Sequence, residues 1–214
     1  MTLARAAQPD LEPIFIETPH LYVRTLDRRD ASERFAAWFE EKEVCEGLNL
    51  KPQRKTKADI EAYIAKFDQK SRILLGIFDR SNDLLIGLLT VQIDWALKRY
   101  LANTAVGEAA YRRRGVMLEV SRPFRAYFFD TLGLEVMTAT VLATNKPIIG
   151  YLNKTGWTLN RVLKDQVRSN IDGSAVDLCL YSITREAWHN WMKENPETLK
   201  AMLTAAAPRD PSRE

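Results

Sequence analysis

The sequence predicts a mixed α+β domain, a sheet flanked by helices, and three observations carry that reading. Short apolar and β-branched runs recur between turns rich in Gly, Asn and Asp. Segments with apolar residues at helical spacing, opened by capping residues, alternate with them. A hydrophobic fraction of 46% in 214 residues supplies the core of one generous domain.

In chain order, Leu21 to Leu26 reads as a strand, and Asp27 caps a helix whose Phe35, Trp38 and Phe39 share one face. Val44 to Lys55 is polar and carries Gly47 and Pro52, so it is expected as a loop. Thr56-Lys-Ala-Asp59 resembles a capping box with Asp in place of Glu, and Ile60, Tyr63, Ile64 and Phe67 follow at helical spacing. Arg72 to Phe78 is a strand, Asp79 to Asp83 a turn, and Leu84 to Asp94 a longer strand containing Gly87. Tyr100 to Val106 follows as the next strand.

Gly115 to Leu132 is helical with Gly133 as its C-cap, and Glu135 to Ala143 is again β-like. Asn145-Lys-Pro147 opens a short helix to about Thr155. Strands from Trp157 to Gln166 and Ala175 to Ile183 enclose a polar loop with Asn170 and Gly173, and a last helix from Thr184 to about Glu194 carries Trp188 and Trp191. The total is about seven strands. Pro123 conflicts with its helix, since an interior proline costs about 3 kcal/mol. Met117, Val120, Phe124, Phe128 and Leu132 keep an apolar stripe across it, so a kink between Glu119 and Pro123 is expected, with two short helices as the alternative. The ends, residues 1–13 and 195–214, read as a flexible segment and a partly disordered tail around a domain at 14–194.

Composition removes several classes of function. No run approaches the ~20 apolar residues of a membrane span, and Met1 to Leu11 lacks the apolar stretch of a secretory signal. Cys45 and Cys179 stand far apart without metal-ligand spacing, which points to reduced thiols and a cytoplasmic protein. Two histidines, His20 and His189, argue against zinc chemistry and a Ser-His-Asp triad, and no metal is expected. A net charge of +3 argues against a dedicated nucleic-acid binder.

The stretch with most chemical content runs from Val106 to Glu119. A strand ends at Val106, Arg112, Arg113, Arg114 and Gly115 form a turn, and a helix begins. A strand that hands a basic, glycine-bearing turn to a helix N-terminus builds an anion site, because the first helical N–H groups lack partners and the dipole favours negative charge. Diphosphate fits such a site.

Three local patterns, in order and on matching elements, resemble the GNAT superfamily of N-acetyltransferases, in particular the branch with ribosomal-protein and polyamine acetyltransferases. Thr18-Pro-His-Leu-Tyr-Val-Arg24 with Leu26-Asp-Arg-Arg-Asp30 resembles that branch's first strand and helix start. Arg112-Arg-Arg-Gly115-Val-Met117 falls on the acetyl-CoA loop, and Asn145, Leu152-Asn-Lys154 and Gly156-Trp157 fall on the branch's Asn-to-Gly-Phe stretch. The chain departs at Met117, where the loop ordinarily has a small residue, at Ile148 in place of serine, and at Leu152 in place of a tyrosine.

The resemblance implies a single-domain fold with a mostly antiparallel sheet, splayed between the strands at Tyr100–Val106 and Glu135–Ala143, where pantetheine enters. It implies acetyl-CoA as co-substrate and transfer of acetyl to a primary amine, on a protein N-terminus or a small molecule, by direct attack in a ternary complex. The N–H groups of Arg113 to Met117, Val116 among them, would bind diphosphate, an N–H near Val106 would polarise the thioester, and Asn145 would hold pantetheine or cap its helix. Candidate bases are Glu108, Asp94 and Glu46, with Tyr151 as the nearest substitute for the missing tyrosine acid; each is also readable as an ordinary surface or packing residue, as is Glu119. Trp38, Trp95 and Trp157 are read as core or as the wall of an acceptor pocket. The loops Val44–Lys55 and Lys164–Ser174 would shape acceptor choice. Three alternatives stand: another acyl group or a hydroxyl acceptor, a non-catalytic CoA-binding module, and, weakest, a nucleic-acid binder. Homodimerisation is left open.

Overall fold

Eight strands form one sheet in the computed structural model, which describes residues 9–200 apart from 171 and 199. They are β1 (Phe15–Glu17), β2 (Leu21–Thr25), β3 (Arg72–Asp79), β4 (Leu84–Asp94), β5 (Arg99–Val106), β6 (Val136–Leu142), β7 (Thr158–Arg168) and β8 (Ala175–Thr184). Their spatial order is β1-β2-β3-β4-β5-β6-β8-β7, antiparallel except where β5 meets β6. The α-helices that bear on the site are α1 (Glu33–Ala37), α2 (Lys42–Leu48), α3 (Lys57–Ile64), α4 (Val116–Ala126), α5 (Lys146–Lys154) and α6 (Arg185–Glu194).

The two-residue period of β3 makes two cores from one strand. Leu74 and Phe78 pack with Phe35, Trp38, Ile60 and Ile64 of the α1 and α3 layer. Ile73, Leu75 and Ile77 pack with Val116, Val120 and Phe124 of α4 on the opposite face. Beyond β5, among the described residues, only one face is layered. Cys179, Tyr181 and Ile183 of β8 are buried with Leu152 of α5 and Trp188 of α6. The alternate residues, Leu178, Leu180 and Ser182, are only half-buried.

The seam between these halves is the main feature of the sheet. Parallel β5 and β6 pair at Arg99↔Val136, Tyr100↔Met137 and Leu101↔Thr138, and no further. Beyond that point β5 follows β4 to Val106 and β6 follows β8 to Leu142, so the strands part into a gap. This is the splay expected between Tyr100–Val106 and Glu135–Ala143.

Several expectations need correction. The sheet has eight strands because Phe15–Glu17 pairs with Tyr22–Arg24, a strand too short for a periodic signal. Asp27 caps a 3-10 turn at Arg28–Asp30 in a reciprocal box with Asp30, and α1 starts afresh from Ser32. The expected loop at Val44–Lys55 begins as helix: α2 runs to Leu48, with Cys45 buried against the Phe39 carbonyl and Asn49 at φ 50° ending it. Burial of one residue there outweighs the polar composition and Gly47. α4 passes through Pro123 as a helix, and the irregularity falls one turn later in a π-turn at Tyr127–Thr131. That wide turn accompanies the adjacent, fully buried Phe128 and Phe129, which with Phe124 ring Tyr100.

At the N-terminal end Ile14 is buried, and its N–H donates to Thr25 Oγ1 at 2.9 Å, while Leu11 packs against the core. Residues 1–8 and 201–214, most of the two segments expected to be flexible, lie outside the described residues.

Candidate active site

The turn from β5 into α4 carries two left-handed residues, Arg113 at φ 61° and Gly115 at φ 77°. Gly115 is the N-cap of α4, and among the described residues no side chain caps that terminus, the arrangement that elsewhere lets helix N–H groups receive an anion. Arginine at positive φ is strained by about 1 kcal/mol, so the turn needs outside support. Two buried carboxylates provide it. Tyr111, just before the arginines, donates to Asp79 at 2.6 Å. Burial alone would raise the Asp79 carboxyl, but hydrogen bonds from Ser81 and Tyr111 outweigh it and hold the group below its ordinary value. On the far side Glu119, 4% exposed, accepts from the His20 N–H at 2.8 Å, the Leu21 N–H at 3.1 Å and the Thr18 hydroxyl. It ties the first turn of α4 to the β1–β2 turn, the structural role among its two readings.

The arginine trio divides. Arg112 turns inward: its Nε donates to the Val106 carbonyl at 3.2 Å, and it also bonds the Gly107 carbonyl and pairs with Glu41 and Glu43 at 3.3 and 3.4 Å. It holds the end of β5 against α2. Arg113 is exposed and pairs with Glu43 at 3.3 Å. Arg114, Gly115 and Met117 are half-buried at the mouth of the turn, and Val116 anchors it in the core.

The candidate bases do not gather at one point. Glu108 accepts from Arg34 Nε and Nη2 at 2.7 and 2.6 Å and from Trp38 Nε1 at 2.9 Å. Arg34 above all, together with Trp38, holds its carboxyl below the ordinary range, which opposes a base near neutral pH. Trp38 lies so close to Gly107 that a Cβ there would meet the indole at 2.0 Å. Asp94 stands opposite Arg99, whereas Val106 ends the same strand, a separation of about 23 Å at ~3.3 Å per residue. It accepts from the Leu97 N–H at 3.1 Å and from Arg99 at 3.3 Å. Glu46 is exposed and faces Lys42 at 3.7 Å. Tyr151 donates to Ser121 Oγ at 3.0 Å and accepts from Arg125, which turns it toward α4. Asn145 caps α5, its side chain accepting from the Ile148 N–H at 3.4 Å. Trp95 donates to the Lys70 carbonyl at 3.1 Å, while Trp38 and Trp157 are core.

Sequence reasoning missed α2 as a helix, and with it Glu41 and Glu43 as partners of the arginines. It also missed Arg34, one helical turn before Trp38. The two loops expected to shape acceptor choice do meet. The Asn170 N–H donates to Asn49 Oδ1 at 2.8 Å, its amide to the Asn49 carbonyl at 2.6 Å, and Asn49 donates to the Arg168 carbonyl at 3.1 Å. This clasp joins the end of α2 to the β7–β8 hairpin, and in the adjoining strands the register aligns Leu142, Leu178 and Leu163 in one row. Among the described residues no group of His, Cys, Asp or Glu is placed to hold a metal, and no helix is long and apolar enough to cross a membrane.

Comparison with known proteins agrees with this geometry. A family model for the acetyltransferase (GNAT) domain matches residues 20–158. A probable N-acetyltransferase of Bacillus subtilis (strain 168), YjcK, is 26% identical over 162 residues, 70% of this chain and 87% of that protein. In fold, the chain resembles spermidine N-acetyltransferase from Vibrio cholerae, solved with CoA and spermine, at a TM-score of 0.70 and 16% identity over 80% of this chain and 99% of that one. Ribosomal-protein-S5-alanine acetyltransferase from Vibrio fischeri gives a TM-score of 0.68 at 14% identity, covering 82% of this chain and 98% of that one.

Proposed function

The chain belongs to the GNAT acetyltransferase family, and from this premise we propose that it transfers acetyl from acetyl-CoA to a primary amine by direct attack in a ternary complex. One observation carries the reading: β5–β6 pairing stops after Leu101↔Thr138, beside an uncapped helix N-terminus. β5 residues 102–106 stay paired with β4 along one edge, which leaves the other edge open to an extended ligand bearing amides. The pantetheine arm of CoA has that chemistry. The N–H groups of Arg113 to Met117 receive its diphosphate, Arg113 and Arg114 add positive charge, and Asn145 lies at the β6 side of the gap.

Bound there, acetyl-CoA supplies an activated acyl group, and this chain's work is to orient it and to polarise the carbonyl with an N–H near Val106. The amine enters over the unlayered face, beneath the Asn49–Asn170 clasp and across the Leu142, Leu178 and Leu163 row. Glu108 is saturated by Arg34 and Trp38, and Asp94 is at the other end of the strand, so the amine loses its proton to water. Tyr151, shared between Arg125 and Ser121, positions α5.

Thiol release from acetyl-CoA against a panel of primary amines tests the reading. Turnover is expected, with kcat/KM rising about tenfold per pH unit below the acceptor's own pKa. Acetyl-CoA binding with no release against any amine would instead favour a non-catalytic CoA-binding module. An inflection in the carboxylate range would assign the base to a side chain.

A further inference from the structure

The turn between β5 and α4 already meets an anion that belongs to the chain itself. Glu43 of α2 sets one carboxylate oxygen 3.3 Å from Arg113 Nη2 and the other 3.4 Å from Arg112 Nη1, so a single carboxylate bridges two consecutive arginines. The two arginines are not alike. Arg112, its side chain 12% exposed, also has Glu41 at 3.3 Å and the carbonyls of Val106 and Gly107. The Arg113 side chain is 88% exposed, and Glu43 is the carboxylate it meets among the described residues. Both Glu43 contacts are long for charge-assisted hydrogen bonds, which ordinarily close to about 2.7–2.9 Å. A carboxylate divided between two guanidiniums satisfies neither, whereas a diphosphate brings more charge and more oxygens to the same donors.

We infer that Glu43 is an internal competitor of the diphosphate: it holds Arg113 in the unliganded chain, and the ligand displaces it. The inference rests on the reading of this turn as the diphosphate site. Glu43 lies in the first turn of α2, where the helix dipole favours a negative charge. Cys45 is the one buried residue of that helix, so its head can give way without disturbing a core. The pair re-forms as the ligand leaves, which favours release of CoA after transfer. An exposed ion pair shifts such an equilibrium by about fivefold at most, so the contact trims affinity and does not gate it. A preorganising role, with Glu43 holding the arginines ready for the ligand, predicts the opposite sign.

Calorimetry of the full chain with acetyl-CoA and with ADP, both of which carry a diphosphate, reads that sign. Glu43→Gln is expected to bind each about threefold more tightly than the parent. Glu43→Asp keeps the charge but withdraws it by one methylene, and is expected to gain about twofold. Added to Arg113→Gln, Glu43→Gln is expected to gain less than about 1.5-fold, because its partner is gone. Unchanged or weaker binding by Glu43→Gln would overturn the inference and assign Glu43 to holding the turn in shape. A gain equally large without Arg113 would also overturn it, since plain charge repulsion would then be the cause. A parent that binds neither ligand would overturn the diphosphate reading itself, and this inference with it. Should Glu43→Gln not fold, Glu43→Asp decides alone, and affinity equal to the parent's would overturn the inference.

Discussion

The two ends of β5 differ in one respect, and the candidate chemistry follows that difference. At the Arg99 end the strand is bonded on both edges, to β4 and to β6, and fully buried Tyr100 is ringed by Phe124, Phe128 and Phe129. At the Val106 end β6 has departed, one edge lies open, and support comes from side chains: Arg112 on the carbonyls, Tyr111 on Asp79, and Glu108 between Arg34 and Trp38. A strand bonded on both edges has no backbone group left to offer. One bonded on a single edge can take a ligand as its next neighbour, provided side chains hold it in place.

Three substitutions test this contrast, in descending order of effect. Gly115→Asp puts a carboxylate where diphosphate is proposed to sit, at φ 77°. Its acetyl-CoA affinity is expected to fall at least about 100-fold, near 2.7 kcal/mol, with the circular dichroism of the parent. Calorimetric affinity equal to the parent's would remove the open end of β5 from ligand binding.

Glu108→Gln leaves the Arg34 guanidinium and the Trp38 N–H poorly matched, and a loss of about 1–3 kcal/mol at neutral pH is expected. The folded-state carboxyl is depressed below its ordinary 4.5. Its stabilisation is therefore present above that value and lost as pH falls through the lower folded value. Urea unfolding of parent and variant should converge only once pH falls below the depressed folded value, and a difference that persists in strong acid would show that packing, not charge, is responsible.

Asp94→Asn changes a half-exposed ion pair at the closed end, and a stability change within about 0.5 kcal/mol is expected, with turnover unaltered. A tenfold loss of turnover in that variant would mean that the closed end takes part in the chemistry.

Much of the fold was legible because its signals are local. Thr56 and Asp59 form their reciprocal cap, Asn145 and Pro147 start α5, and Gly115 and Gly133 take positive φ where turns were expected. Three errors share one cause. α2 is held by burial of Cys45, β1 by a partner strand, and the π-turn accompanies the packing of three phenylalanines around Tyr100, none of which a local window contains.

The candidate site divides along the same line. By itself the sequence determined the turn at the head of α4, because a strand end, a positive-φ glycine and a helix start are properties of neighbouring residues. The tertiary structure alone decided which charges are already committed. Arg112 meets Glu41 across 71 positions, Glu108 meets Trp38 across 70, and the Asn49–Asn170 clasp joins residues 121 apart. A side chain's chemistry depends on what stands within about 4 Å of it, and for these residues that neighbour is set by the path of the sheet rather than by sequence spacing.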